Sequence, residues 1–215
     1  MQRRTLLQSG LALGSLSALA GCASLTSQAP AKAQVVVIGG GYGGATAAKY
    51  VRMLSNHQIS VVLIEPQTTF ISCPMSNLVL GGSKNLAQIT TPYDALSSKH
   101  GVRLVHDRVT AIDTSKKTVS LQQGTTIAYD KLVLSPGVDM NFDSIEGLQA
   151  ANASGQILQA WKAGAETLAL RKQLEAMPDG GVYALTVPEA PYKCPPGPYA
   201  VSYTHLRAHE TREDL

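Results

Sequence analysis

The chain has 215 residues, of which 44% are apolar and 15% charged, so its composition is that of a globular protein with enough residues for a core. Its formal net charge of +3 equals the charge of the first 33 residues, which contain Arg3, Arg4 and Lys32. Residues 34–200 hold 13 basic and 12 acidic side chains. A body this close to neutrality lacks the basic surface that nucleic acids require. The composition therefore predicts no nucleic-acid partner.

The first 33 residues predict a twin-arginine export leader followed by a tether. Arg3 and Arg4 precede an apolar stretch at residues 6–20, which is too short to span a bilayer permanently. The sequence Leu-Ala-Gly-Cys ending at Cys22 resembles a lipobox, which would give Cys22 a lipid anchor; cleavage among the small residues 29–33 is the alternative. Because this route carries folded cargo, we expect a periplasmic protein that is exported with its cofactor.

The body of the chain predicts an α/β fold. An apolar strand at residues 34–38, a helix at 42–54 and a second strand at 59–65 make a β-α-β unit. A short helix is expected at residues 93–100, and the later strands are expected at 102–106, 109–113, 118–122, 125–129 and 131–134. Three of these later segments, those between residues 109 and 129, are short and broken by turn residues, which is typical of a small antiparallel meander.

Beyond residue 150 the pattern predicts a connecting helix and the start of a second domain. Apolar residues recur at helical spacing over residues 156–177, and we expect Trp161 to lie on the buried face of this helix. Residues 182–187 read as a new strand. The predicted organisation is thus a leader at 1–33, a first dinucleotide-binding segment at 34–150 and a connecting segment at 151–200.

Residues 201–215 differ in character from the rest of the chain. From Val201 onward the sequence resembles one reading frame of a sequencing-library adapter and has no apolar periodicity, so we expect a non-native tail. The alternative is a solvated C-terminus in which His205 and His209, four residues apart, form a weak metal site. We predict no metal site and leave both histidines out of the candidate residues.

A glycine-rich motif lies between the first strand and the first helix. Gly39, Gly41 and Gly44 form the pattern G-x-G-x-x-G, and Gly40, Tyr42 and Gly43 complete the loop. The first glycine permits a tight turn, the second lets the backbone approach a pyrophosphate, and the third lets helix and strand pack closely. Glu65 ends the second strand about 20 residues further on, where a carboxylate binds the adenosine ribose. This context predicts a dinucleotide site.

The order of elements resembles the flavoproteins with two dinucleotide-binding domains, the pyridine nucleotide-disulfide reductase type, in which the first site holds FAD. That resemblance implies that the backbone of Val109 faces the adenine and that Ser135 and Gly137 border the cofactor. After residues 182–187 a nicotinamide enzyme would repeat the glycine motif, but this chain has a proline-rich loop. Prolines lack the N–H groups that cradle phosphate, so we expect the electron donor not to be NAD(P)H.

Two cysteines follow the leader. Cys73 begins the run Cys-Pro-Met-Ser-Asn, and Cys194 begins Cys-Pro-Pro-Gly-Pro-Tyr. In an oxidising compartment a single disulfide between them is one interpretation. Together with the leader, the glycine loop and Ala-Trp-Lys-Ala-Gly around Trp161, however, these runs resemble the flavoprotein subunit of flavocytochrome c sulfide dehydrogenase.

This resemblance implies a set of expectations about chemistry. Cys73 would carry FAD through a thioether, and Cys194 would belong to a catalytic redox disulfide whose partner lies in a later half of the family's sequence that this chain lacks. Sulfide would be oxidised and the electrons passed to a c-type cytochrome subunit. Alternatives are a sulfide:quinone oxidoreductase-like enzyme and a non-catalytic exported flavin carrier. We expect the Rossmann-like domain in this chain to be incomplete and the chain alone to be inactive.

Overall fold

A computed structural model describes residues 31–187, 191–192 and 194–210, with side chains to Thr204. The predicted leader, including Arg3, Arg4 and Cys22, lies outside these residues, as does part of the proline-rich loop at 188–190. No helix among the described residues is long and apolar enough to cross a membrane.

A four-stranded parallel sheet forms the centre of the structure. Strand β1 (Ala33–Ile38) pairs with β2 (Ile59–Ile64) on one side and with β9 (Lys131–Leu134) on the other. Strand β5 (Arg103–Val105) pairs with β2, which gives the order β5-β2-β1-β9. The predicted parallel β-α-β unit is confirmed, and the predicted strands agree with these bounds to within one residue.

Helix α1 (Tyr42–Leu54) connects β1 to β2 and has the predicted bounds. Its buried face consists of Gly44, Ala48 and Arg52, which recur every four residues and face the sheet. Arg52 is buried, and its guanidinium donates hydrogen bonds to the carbonyl oxygens of His57, Ile59 and His100. The Arg52 side chain therefore ties the end of α1 to the start of β2.

The two faces of the sheet bury two separate apolar clusters. Side chains alternate along a strand, so Val35 and Val37 of β1 face α1 while Val36 and Ile38 face the opposite side. Strands β6 (Val109–Asp113), β7 (Thr118–Leu121) and β8 (Thr126–Ala128) cover that opposite face as an antiparallel sheet. The predicted meander is confirmed, and it completes the core.

A second, smaller antiparallel pair was not predicted. Strand β3 (Thr69–Ile71) pairs with β4 (Thr90–Pro92), and the chain between them forms a 3-10 turn (Cys73–Met75), helix α2 (Ser76–Leu80) and a second 3-10 turn (Leu86–Ile89). Helix α3 (Asp94–His100) follows directly. Cys73 therefore lies in the connection between β3 and β4, outside the central sheet.

The predicted helix over residues 156–177 is wrong in its first half. The structure has helix α4 (Leu148–Ala153), an irregular segment, and then helix α5 (Ala165–Ala176). Gly164 has φ 160° and ψ −147°, which no helix accommodates, so apolar spacing before it does not produce a helix. Trp161 lies in the irregular segment and is 39% exposed, so its predicted place in the core is also wrong.

The predicted strand at residues 182–187 is not formed either. These residues have no regular structure, and Val182 is 91% exposed, because no described strand pairs with them. Helix α6 (Gly197–Glu210) follows the proline-rich loop and includes the first ten residues of the predicted non-native tail. The origin of residues 201–215 stays a prediction.

Candidate functional site

The glycine loop connects the carboxyl end of β1 to the start of α1. Gly39 has φ 94°, a left-handed conformation that permits the tight turn. A Cβ at Gly39 would overlap the carbonyl oxygen of Ser135, and one at Gly44 would overlap the carbonyl oxygen of Gly39. The first and third glycines of the motif therefore have the predicted steric roles, the turn and the close contact of helix and strand.

Gly41 faces open space in front of helix α1. The nearest atom to a Cβ placed there is Cε2 of Phe70 at 4.0 Å. The first turn of α1 contains no acidic residue, and none of the described side chains caps its N–H groups, so they remain available to an anion. These features fit the pyrophosphate of a dinucleotide, which needs both an approachable backbone and unpaired N–H donors.

Glu65 follows β2 and lies beside the glycine loop. One carboxylate oxygen accepts a hydrogen bond from the N–H of Gly40 at 2.8 Å, and the other accepts from the N–H of Gln67 at 2.9 Å. Each oxygen retains further acceptor capacity for ribose hydroxyl groups. The carboxylate that is predicted to bind the ribose thus lies next to the loop, and it also holds the loop through its hydrogen bond with Gly40.

The segment that is predicted to contact the adenine begins next to Glu65. The ring Nδ1 of His106 lies 3.1 Å from the carbonyl oxygen of Glu65, and Val109 follows three residues later as the first residue of β6. A β-bulge separates Val109 from Ala111. The structure brings this segment to the edge of the site, and the backbone contact of Val109 with adenine stays a prediction.

Tyr93 is a site residue that the sequence did not reveal. Its side chain is 5% exposed, and its hydroxyl donates to the carbonyl oxygen of Gly40 at 3.0 Å. Burial, with a smaller contribution from the negative charge of Glu65, raises the pKa of Tyr93 to about 12. The contact joins residues 53 positions apart, and no local motif marks it.

Ser135 packs against the glycine loop from the neighbouring strand. Its N–H donates to the carbonyl oxygen of Ile38 at 2.9 Å, and its hydroxyl lies 2.8 Å from where a Cβ of Gly43 would be. Gly137 has φ 77° and open surroundings. The structure thus brings Ser135 to the loop, while a cofactor contact of Gly137 stays a prediction.

Cys73 follows Ser72, which is hydrogen-bonded to Tyr42, the first residue of helix α1. The hydroxyl groups of Tyr42 and Ser72 are 2.6 Å apart, and Tyr42 also contacts Phe70 edge-on with ring centroids 4.9 Å apart. Cys73 is half-buried, and its thiol donates to the carbonyl oxygen of Trp161. The strand and turn that were not predicted therefore place Cys73 directly after Ser72, whose hydroxyl contacts Tyr42 of the glycine loop.

The segment that contains Cys194 also lies near Trp161. Cys194 is exposed and has φ 61°, which is unusual for a residue with a side chain. A Cβ at Gly197 would lie 3.5 Å from the sulfur of Cys194 and 3.7 Å from the ring of Trp161. Trp161 is thus a neighbour of both cysteine segments. Both thiols are free in this structure, so the alternative of a disulfide between them is not observed.

A cavity of about 520 Å³ adjoins the outer side of the glycine loop. Its wall is formed by helices α1 and α3 and by the β3–β4 pair, and it reaches Gly41 and Tyr42 at one end. Lys49, Lys99 and His100 lie among its lining residues, which include no carboxylate. Among the described residues no group of acidic, histidine or cysteine side chains is arranged to hold a metal ion.

The sheet, the loop and the meander match a known family over most of the chain. The description of that family is pyridine nucleotide-disulphide oxidoreductase, and the match covers residues 33–173. The chain belongs to the pyridine nucleotide-disulphide oxidoreductase family. This membership confirms the predicted fold class.

A second family match concerns the later part of the chain. Residues 167–212 match the central part of the sulfide dehydrogenase [flavocytochrome c] flavoprotein chain. A flavoprotein chain of that name from Chlorobaculum thiosulfatiphilum is 59% identical over 46 residues, which are 21% of this chain and 94% of that sequence. These findings support the predicted family resemblance.

Longer matches are to sulfide:quinone oxidoreductases. The mitochondrial sulfide:quinone oxidoreductase of Mus musculus is 26% identical over 180 residues, which cover 79% of this chain and 37% of that protein. The crystal structure of the sulfide:quinone oxidoreductase from Aquifex aeolicus has a TM-score of 0.57 and 29% identity, covering 67% of this chain and 32% of that one. The chain thus spans about a third of the length of these relatives.

Proposed function

We propose that the parent protein is an FAD-dependent enzyme that oxidises sulfide and passes the electrons to a c-type cytochrome subunit. The observation that carries the proposal is the position of Trp161, which contacts the Cys73 thiol and lies next to the Cys194 segment. This arrangement brings the Cys73 and Cys194 segments to one tryptophan, and we propose that both lie beside the dinucleotide site. The similarity to sulfide-oxidising proteins supports sulfide as the substrate.

FAD fits the residues of the cradle. Gly41 and the first turn of α1 would hold the pyrophosphate, Glu65 the ribose and Val109 the adenine, while Cys73 would form the thioether to the flavin. When bound, FAD supplies the capacity to accept two electrons together and release them singly. That capacity is what a two-electron donor and a one-electron cytochrome acceptor require.

The substrate step would be thiol–disulfide exchange at Cys194. Hydrosulfide would attack one sulfur of a disulfide between Cys194 and a cysteine of the parent protein that is not in this sequence, and the S–S bond would break. The attacked sulfur becomes a persulfide and the other leaves as a thiolate, so two electrons move from sulfide to the cysteine pair. The exposure of Cys194 suits attack by a small anion.

The deciding experiment is sulfide-dependent turnover of the complete gene product with two acceptors. We expect c-type cytochrome to be reduced with a kcat/KM at least about tenfold above that for a soluble quinone, a preference of about 1.4 kcal/mol. The reaction is measured from cytochrome absorbance and from quinone loss under the same conditions. Faster turnover with quinone would overturn the cytochrome assignment.

A sulfide:quinone oxidoreductase-like activity is the second candidate. The mouse and Aquifex matches favour it because they cover 79% and 67% of this chain, whereas the Chlorobaculum match covers 21%. The predicted export leader favours the cytochrome instead, since it would place the protein in the periplasm. Sulfide oxidation is common to both candidates, and the acceptor comparison separates them.

Covalent attachment of the flavin gives a direct test of Cys73. We expect flavin absorbance to remain with the protein after acid denaturation of the wild type and to be released in Cys73→Ser, because serine cannot form the thioether. Cys194→Ser is the matched control and should retain its flavin. Release of the flavin from the wild type would remove the proposed role of Cys73.

Export by the twin-arginine route and lipid attachment at Cys22 are proposals that rest on the sequence of the first 33 residues. Replacement of both Arg3 and Arg4 by lysine should move the flavoprotein from the periplasmic to the cytoplasmic fraction. Unchanged periplasmic yield would contradict the proposed route. Replacement of Cys22 by alanine should release an anchored protein from the membrane fraction.

A further inference from the structure

Gly40 is held by hydrogen bonds on both sides. Its N–H donates to Oε2 of Glu65 at 2.8 Å, and its carbonyl oxygen accepts from the Tyr93 hydroxyl at 3.0 Å. These two groups belong to different peptide units, the one before and the one after the Cα of Gly40. Glu65 therefore fixes one peptide plane of the loop, and Tyr93 fixes the next.

The same two side chains explain why residue 40 is glycine. A Cβ at this position would lie 2.5 Å from the hydroxyl oxygen of Tyr93 and 2.9 Å from Cγ of Glu65. Gly40 is not one of the three glycines that the dinucleotide motif requires. Tyr93 and Glu65 thus require a small residue at position 40.

The peptide plane that Tyr93 fixes also carries the N–H of Gly41. Because a trans peptide is planar, its N–H and C=O point in opposite directions, so holding the Gly40 carbonyl toward Tyr93 turns the Gly41 N–H away from it. Three successive glycines, Gly39 to Gly41, would otherwise give this part of the loop the greatest backbone freedom in the chain.

We propose that Tyr93 is a positioning residue of the dinucleotide site, whose hydroxyl orients the Gly41 N–H toward the diphosphate of the bound dinucleotide. The inference rests on the proposed function, because it requires a dinucleotide at the glycine loop. Tyr93 itself does not need to touch the ligand. Its effect is to pre-organise a backbone donor, which lowers the ordering cost of binding.

The Tyr93 hydroxyl stays a hydrogen-bond donor under all physiological conditions. Burial and the nearby charge of Glu65 raise the pKa of Tyr93 to about 12, so the phenol is protonated. The Glu65 carboxylate accepts a hydrogen bond from the N–H of Gly40. Gly40 thus donates to Glu65 and accepts from Tyr93.

The test compares ligands with and without a diphosphate. In Cys73→Ser protein from which the non-covalent flavin has been removed, we expect Tyr93→Phe to weaken ADP binding about three- to tenfold and to leave adenosine binding unchanged. The control is Tyr129→Phe, which removes a hydroxyl from a half-buried tyrosine in the cluster on the other face of the sheet. It should change neither affinity.

Each outcome has a defined meaning. Equal ADP affinity in Tyr93→Phe and the parent, or equal losses for ADP and adenosine, would overturn the positioning role. Absence of ADP and FAD binding in the parent itself would overturn the proposed dinucleotide function instead. Should Tyr93→Phe not fold, Tyr93→Met removes the same hydroxyl with a flexible apolar side chain and must show the same ADP-selective loss for the proposal to stand.

Discussion

At the scale of single residues, the glycines of the loop between β1 and α1 have different neighbours, and they therefore differ in whether they tolerate substitution by a residue with a side chain. Gly39 and Gly44 face backbone atoms, Gly40 faces two side chains, and Gly41 faces open space. The motif predicts that these positions are small, but it does not say which of them serve the fold and which serve the ligand.

Alanine at two of these positions should separate stability from cofactor binding. We expect Gly44→Ala to lower the free energy of unfolding by about 1–3 kcal/mol, because its Cβ would overlap the Gly39 carbonyl. Gly41→Ala should change the free energy of unfolding by less than about 0.5 kcal/mol but reduce bound flavin, since its Cβ would point into the open cradle. Urea unfolding and the flavin-to-protein absorbance ratio measure the two effects.

The opposite result would be informative about the cradle. Full flavin content in a stable Gly41→Ala protein would mean that the dinucleotide does not approach this backbone position. A stable Gly44→Ala protein would show that helix α1 can move away from β1.

Most of the candidate site is predictable from sequence because its parts follow secondary-structure elements directly. The glycine loop, Glu65 and Ser135 each come immediately after a parallel strand, and such strand ends meet at one edge of a sheet. Tyr93 and Trp161 were not assigned to the site because their contacts join residues 53 and 88 positions apart, and no periodicity encodes such contacts.

At the scale of elements, the bounds of helices and strands were predicted well where apolar residues are continuous or strongly periodic. The central strands and helix α1 have continuous or strongly periodic apolar residues, and their predicted bounds are close to the observed ones. Strands β3 and β4 were missed; β4 reads Thr-Thr-Pro, and a proline in so short a run argues against a strand and hides its pairing with β3. The early half of the 156–177 prediction failed because Gly164 interrupts a pattern that spacing alone favours.

Arg52 joins helix α1 to the next strand, and its loss should destabilise this connection. We expect Arg52→Met to lower the free energy of unfolding by about 3 kcal/mol, because three carbonyl oxygens lose a charged donor while the methionine keeps much of the packing. Chemical denaturation of the complete gene product measures the change.

Arg103→Met is the matched control for this prediction. Arg103 is exposed on β5, and the same substitution there should change the free energy of unfolding by less than about 0.5 kcal/mol. Similar losses in the two variants would mean that the carbonyl contacts of Arg52 contribute little.

At the scale of the whole molecule, the parallel sheet separates the two apolar clusters, and Tyr93 belongs to the cluster on the side of α1. A titrating group in this cluster links global stability to pH. The folded pKa of Tyr93, about 12, is above its ordinary value of 10.0. The contribution to the free energy of unfolding is therefore complete below pH 10 and is lost as the pH rises toward 12.

This linkage predicts an alkaline loss of stability that depends on Tyr93. Relative to Tyr93→Phe, the wild type should lose about 2 kcal/mol of unfolding free energy on going from pH 9 toward pH 12, with the steepest change above pH 10. Urea unfolding of both proteins across this range measures the difference, which cancels the titration of exposed groups. A difference that stays constant with pH would contradict the prediction.

The contacts around Gly40 also constrain how the sequence can change over evolution. Positions 40, 65 and 93 share one small volume, so a larger residue at position 40 requires a smaller one at position 93 or a shift of residue 65. A larger residue at position 40 clashes when it is introduced alone, whereas it fits when position 93 already has a smaller side chain. Descendants of this chain should therefore exchange these residues together, and an alignment of its relatives should show correlated variation between them.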